Sequence, residues 1–241
     1  MRIVSLFAIM SVALLAGCAN ASEQPSTPSP TSNSLDSLIG STGTAAEPTA
    51  PVEPSLFLCM PDGRCDLTSE DPPAVTLTYD TLADMANMWK SRGVILHFHI
   101  QAVDSDNSDA DDTACPVPTG GENAWIWMCP SGDGGMNITN MGRVLDMGYG
   151  PVMAEVASNA SQAVLNVVDS LPKSITALRQ RSACLTGNFF AWKLAGNGTN
   201  FTVTQQDIDY LENAADDDMR AAFSIGVGMD EDAYTACFDL D

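Results

Sequence analysis

Gly148-Tyr149-Gly150-Pro151-Val152-Met153-Ala154-Glu155-Val156-Ala157-Ser158 is the stretch on which the fold turns. Pro151 suits the first turn of a helix, where its missing N–H is no loss. The apolar and small residues that follow carry this helix to about Leu171, and Pro172 breaks it. Downstream the pattern stays helical. A second long helix spans about Ser174 to Ala195 and stops at Gly196-Asn197-Gly198. Thr204 caps a third, from Gln205 to about Ala214, and a fourth lies near Asp216 to Ser224. Asp230 is placed to cap a last short helix carrying Cys237.

Upstream the periodicity changes. Ala124–Cys129 reads as a strand, Pro130-Ser131-Gly132-Asp133-Gly134-Gly135 as a turn, and Met136-Asn137-Ile138-Thr139 as the returning strand. Val94–Ala102 alternates enough to be another strand. Val75-Thr76-Leu77-Thr78 reads as a short strand with Tyr79 at its end. Asp80 then caps a helix to about Lys90 that places Leu82, Met85, Ala86 and Trp89 on one face. The expected fold is α+β, a small antiparallel sheet followed by a mainly helical half, with no internal repeat.

The chain begins with Met1-Arg2 and an apolar run from Ile3 to Leu15, interrupted only by Ser5 and Ser11. A bilayer-spanning helix needs about 20 apolar residues, so this run fits the hydrophobic region of a secretory signal instead. It ends in Leu15-Ala16-Gly17-Cys18, which matches the lipobox of bacterial lipoproteins. That predicts a signal peptide over 1–17, lipidation of Cys18 and a lipid-anchored, extracytoplasmic place in the bacterial cell envelope. An ordinary signal peptide cut near Ala21 is the alternative. Residues 18–54, rich in Ser, Thr, Pro, Ala and Gly, read as a disordered tether. Residues 55–241 remain for one domain, enough for a sizeable core.

Charge narrows the partners. The chain carries 31 acidic against 10 Lys and Arg residues, a net charge of −21. Such a surface repels nucleic acid and anionic headgroups. Asp104, Asp106, Asp109, Asp111 and Asp112 crowd one loop, without the central glycine and closing glutamate of an EF-hand. A solvated loop with at most weak cation binding is the reading there.

Besides Cys18, the cysteines are Cys59, Cys65, Cys115, Cys129, Cys184 and Cys237. An even number in an exported chain suggests disulfides, and counting alone allows about fifteen pairings. Proximity favours Cys59–Cys65 and Cys115–Cys129, leaving Cys184–Cys237. Loop-closure entropy would assign this last bridge a gain on the order of 4 kcal/mol. No Cys-x-x-Cys spacing supports a metal site.

Residues 124–223 resemble the neutral zinc metallopeptidases of the bacterial envelope. Four stretches carry the likeness. Trp127-Met128-Cys129-Pro130 with Met136-Asn137-Ile138 matches the family's aromatic-x-Cys-Pro turn and following strand. Gly148–Ser158 matches the helix that should bear His-Glu-x-x-His. Arg179-Gln180-Arg181-Ser182-Ala183-Cys184-Leu185-Thr186-Gly187 matches the Glu-x-x-Ala-Asp-Cys-x-Ala-Gly helix. Phe189-Phe190-Ala191-Trp192, Phe201-Thr202-Val203-Thr204 and Asp207 match the helix and turn beyond. The resemblance implies a zincin-like metallopeptidase fold. In such enzymes two histidines one turn apart hold zinc, and the glutamate between them is the general base. Carried over, the histidines fall on Ala154 and Ser158, the third ligand on Arg179, and only the base survives, as Glu155. A methyl, a hydroxyl and a fixed cation do not hold zinc. No metal or other cofactor is expected at these positions. The implied protein is an inactive metallopeptidase-like domain that binds or scaffolds a peptide or an envelope protein.

The alternative is a metal-dependent peptidase with an unconventional zinc site. His97 and His99 are the only histidines and lie two apart on a strand, hence on one face. With Glu155 or an acid of the loop they would complete a ligand set. Ordinary half-buried strand residues are the competing reading. No Gly-x-Ser-x-Gly elbow is present, and Gly132-Asp133-Gly134-Gly135 lacks the Lys-Ser/Thr of a phosphate loop. Trp125 and Trp127 alternate on their strand as packing residues.

Overall fold

The computed structural model describes residues 53–103, 115, 124–146, 148–198, 201–228 and 234–240. The signal peptide, Cys18, the tether up to residue 52, the acidic loop Asp104–Asp112 and the Asp230 cap lie outside the described residues. The elements are β1 (Ser55–Cys59), α1 (Pro73–Ser91), β2 (His97–Val103), β3 (Ile126–Met128) and β4 (Asp133–Asn137), then α2 (Ile138–Leu145), α3 (Tyr149–Val167), α4 (Ile175–Leu194), α5 (Gln205–Ala214) and α6 (Asp217–Val227). A 3₁₀ turn over Tyr234–Asp239 closes the chain. The fold is α+β: a four-stranded sheet of order β1-β2-β4-β3, then a mainly helical half.

The sheet is not the antiparallel one that the sequence suggests. β1 pairs with β2 in parallel, β2 with β4 in parallel, and only β3 with β4 is antiparallel. The cause is the β1–β2 connection. It is filled by the 19-residue helix α1, and a helical crossover returns the chain in the same direction.

That helix absorbs the expected strand at Val75–Thr78 and the expected cap at Asp80, both of which are interior to it. It starts two residues before Val75, with Pro73 in its first turn. Its β-branched residues sit in a helix because burial decides: Val75, Leu77, Thr78, Leu82, Met85, Met88 and Trp89 are all buried. The hydroxyls of Thr78 and Thr81 donate to the carbonyls of Ala74 (2.9 Å) and Leu77 (2.7 Å), so neither is stranded in the core.

A second correction falls after β3. The turn is shorter than expected, because Asp133-Gly134-Gly135 already belong to β4. Ile138 and Thr139 are not strand. They open α2, capped by the Asn137 side chain, which accepts from the Asn140 N–H at 3.0 Å.

The helical half follows its local signals. The Ser174 hydroxyl caps α4, Thr204 and Asp207 form a reciprocal capping box on α5, and Asp216 caps α6. Helix α3 ends at Val167, a turn before Pro172. It is central, with every residue from Gly150 to Leu165 buried between α1, α4, α5 and β3. Its many alanines and serines let neighbours approach closely, and being covered all round it shows no amphipathic stripe.

Three disulfides are formed, Cys59–Cys65, Cys115–Cys129 and Cys184–Cys237, the pairs that proximity favours. The last ties the 3₁₀ turn to α4. There Tyr234 and Phe238 pack on Trp89, and the Arg92 guanidinium lies 5.0 Å from the Trp89 ring and 4.5 Å from that of Tyr234. Among the described residues no helix is long and apolar enough to cross a membrane.

Candidate functional site

Helix α3 carries Glu155 into the core. The residue is 7% exposed, and its carboxylate accepts a 2.7 Å hydrogen bond from the Trp125 indole N–H, just ahead of β3. Burial pushes the carboxyl up to about 7, and the indole N–H draws it part of the way back. One neutral donor does not replace the hydration of a full charge. The main-chain carbonyl of Glu155 accepts from the Asn159 side chain at 3.0 Å, inside the same helix.

The three positions that the sequence resemblance marks for zinc ligands, Ala154, Ser158 and Arg179, do not form a ligand set. Ala154 is buried and has no donor atom, and Ser158, one turn on, is buried with a hydroxyl only. Arg179 on α4 has its guanidinium 3.2 Å from Asp216, whose other oxygen caps α6 through the Met219 N–H at 3.0 Å. A site of this composition does not fit zinc. None of the three side chains is an imidazole, thiolate or carboxylate, and Arg179 is a cation engaged with Asp216, the cap of α6.

The histidines are elsewhere. His97 Nδ1 lies 2.8 Å from the Ser55 hydroxyl, and His99 Nδ1 lies 3.6 Å from Asp133. Both are exposed, on the sheet face opposite Phe98, Ile100 and Ala102, which are buried in the same core as α3. They share a face, as their spacing requires, and Glu155 is not brought to them. Among the described residues no group of three His, Cys, Asp or Glu side chains is placed to hold a metal ion.

Trp125 and Trp127 are packing residues, each 1% exposed, and each indole also finds an acceptor. That of Trp127 donates to the Cys115 carbonyl at 2.8 Å. The glycines nearby serve this packing: a Cβ on Gly135 would stand 2.1 Å from the Trp127 ring. Gly132 has φ +92 and turns against the His97 carbonyl, where a Cβ would be 2.0 Å away.

Sequence reading did not find the Trp125–Glu155 bond. The available signal was chemical: a buried indole N–H needs an acceptor, and a lone glutamate in an apolar helix needs a donor. Nor did it find the buried ion pair between Lys193 of α4 and Asp84 of α1, whose side chains are 1% and 2% exposed. In comparisons with family models, curated proteins and solved structures, nothing matches this chain.

Proposed function

We propose that this chain is a lipid-anchored, extracytoplasmic envelope protein whose zinc-metallopeptidase-like domain is inactive and works by binding or scaffolding. The observation that carries the reading is the state of the Glu155 position. The one surviving catalytic-type residue is buried on the Trp125 indole, flanked by Ala154 and Ser158, while Arg179 is held by Asp216. A general base needs a metal-bound water within reach, and these neighbours supply no ligands for one. The zincin-like fold is part of this proposal, supported by the order of the four matching stretches and by Glu155 lying on the long helix that follows the sheet. The lipobox ending at Cys18 supports the anchor, and three disulfides suit an oxidising compartment.

Elemental analysis of the untagged, purified protein tests the central point. Zinc far below one equivalent is expected, and one tightly bound zinc per chain overturns the reading. Mass spectrometry of the mature chain tests the anchor: a diacylglyceryl group on Cys18 is expected, and Cys18→Ala should release the protein from the membrane fraction.

A further inference from the structure

β1 is an outer strand. Its one edge pairs with β2, and its other edge, among the described residues, pairs with nothing. Such an edge offers main-chain N–H and C=O groups that another extended chain satisfies along its length. Edges are normally blunted by charge, proline or a bulge. Pro54 stands just ahead of the strand, but Ser55-Leu56-Phe57-Leu58-Cys59 itself contains no charged residue and no proline, and Phe57 is 54% exposed.

Beside the strand lies a pocket of about 200 Å³ between β1 and α1, lined by Pro54, Ser55 and Leu56 and by Tyr79, Ala83, Ala86 and Asn87. No residue of β2 lines it. The four helix residues share one face of α1 by their spacing, and the small side chains of Ala83 and Ala86 leave the space. Small-molecule clefts run to roughly 300–1,000 Å³, so this pocket is sized for one side chain. A bare strand edge with a side-chain pocket next to it is the arrangement used in strand addition, where the main chain supplies affinity and the pocket supplies selectivity.

The geometry points to a docking site on β1 for an extended segment of another protein, neutral or basic, with an aliphatic side chain seated against Ala83 and Ala86. Charge sets the choice of occupant. A second copy would bring another net charge of −21 against the first, whereas a neutral or basic segment meets no such repulsion. The site is at the far edge of the sheet from β3, so it does not rest on the metallopeptidase-like reading, and a zinc result leaves it untouched.

Phage-displayed random octapeptides panned on the full chain test it, with affinities of the enriched synthetic peptides read by fluorescence anisotropy. The enriched peptides should lack net negative charge and share an aliphatic residue at one position. Filling the pocket with Ala83→Phe, or capping it with the exposed Asn87→Trp, should weaken binding about tenfold or more. Ala83→Ser should retain binding, and N-methylating alternate peptide amides should abolish it. Enrichment of no peptide overturns the proposal, as does undiminished binding to folded Ala83→Phe and Asn87→Trp. A dimer in sedimentation that Phe57→Lys dissolves would assign the edge to a second copy instead. Binding that appears only after deletion of residues 1–52 would assign it to the chain's own N-terminal segment. Either result overturns the proposal.

Discussion

Glu155 and Asp84 are both carboxylates buried in long helices, and the molecule treats them in opposite ways. Asp84 of α1 meets the Lys193 ammonium of α4, and both side chains are shut from solvent. Gly198, at φ +86, closes over them so tightly that a Cβ there would lie 2.6 Å from Asp84 Oδ2. Glu155 receives one neutral indole N–H and is left with a carboxyl raised to about 7. The first is a charge compensated for the sake of the fold. The second is a charge the fold tolerates poorly, with burial opposed by one hydrogen bond alone.

The largest effect that would break this comparison is at the ion pair. Removing one partner of a buried pair leaves an uncompensated charge, so Lys193→Met should destabilise the protein by about 3–5 kcal/mol in denaturant unfolding. The double change Asp84→Leu with Lys193→Met should recover much of that loss, since the pair's own net worth is small. A single variant costing under about 1 kcal/mol would mean that Asp84 is as solvated as a surface acid, and the contrast with Glu155 would fall.

The next effect is a pH slope at Glu155. Its folded value, about 7, lies above the ordinary 4.5 of the unfolded chain, so the folded state holds the proton more tightly. Stability from this group is complete below about 4.5, declines as pH rises toward 7 and is flat beyond; at 1.36 kcal/mol per unit the loss is about 3 kcal/mol. Glu155→Gln should erase that slope and leave the variant more stable than the parent at pH 8. Urea midpoints at pH 5 and pH 8 measure it. Equal slopes in parent and variant would show Glu155 to be compensated after all.

Trp125→Phe sharpens the same point at smaller scale. It deletes the one donor that the described residues aim at the carboxylate, at a cost of about 1–3 kcal/mol at pH 8, and it should cost less at pH 5, where the carboxyl is mostly neutral. A pH-independent loss would make Trp125 a packing residue alone.

How much of this was legible beforehand follows from the range of each interaction. The caps at Ser174, Thr204 and Asp216 join residues three apart, so Thr204 could be read as a cap and the other two as helix starts. Cys59–Cys65 and Cys115–Cys129 are close in sequence, and they leave Cys184 and Cys237 to each other. Strand direction could not be read, because β1 and β2 are related only through α1, and α1 was itself disguised by Val75, Thr76 and Thr78. The surroundings of the candidate site were hidden by distance. Trp125 is 30 residues from Glu155, and Asp84 is 109 from Lys193. What could be read was that Ala154, Ser158 and Arg179 carry a methyl, a hydroxyl and a guanidinium, a statement about side-chain chemistry that needs no geometry.

Arg179 offers the smallest effect and the most direct control on the comparison. Its guanidinium is 24% exposed and lies 3.2 Å from Asp216, itself 52% exposed. Pairs that wet are screened and contribute little, so Arg179→Gln should cost about 1 kcal/mol or less, and less still in high salt. Asp216→Ala should cost more, because it removes both the pair and the α6 cap donated to by Met219, the cap alone amounting to about 1 kcal/mol. Were Arg179→Gln instead to cost as much as Lys193→Met, Arg179 would be neutralising a buried charge. The buried carboxylate to examine would then be Glu155, and its pH slope should steepen in the same variant. An unchanged slope with a small, salt-sensitive loss keeps Arg179 at the surface and Glu155 without a counter-charge.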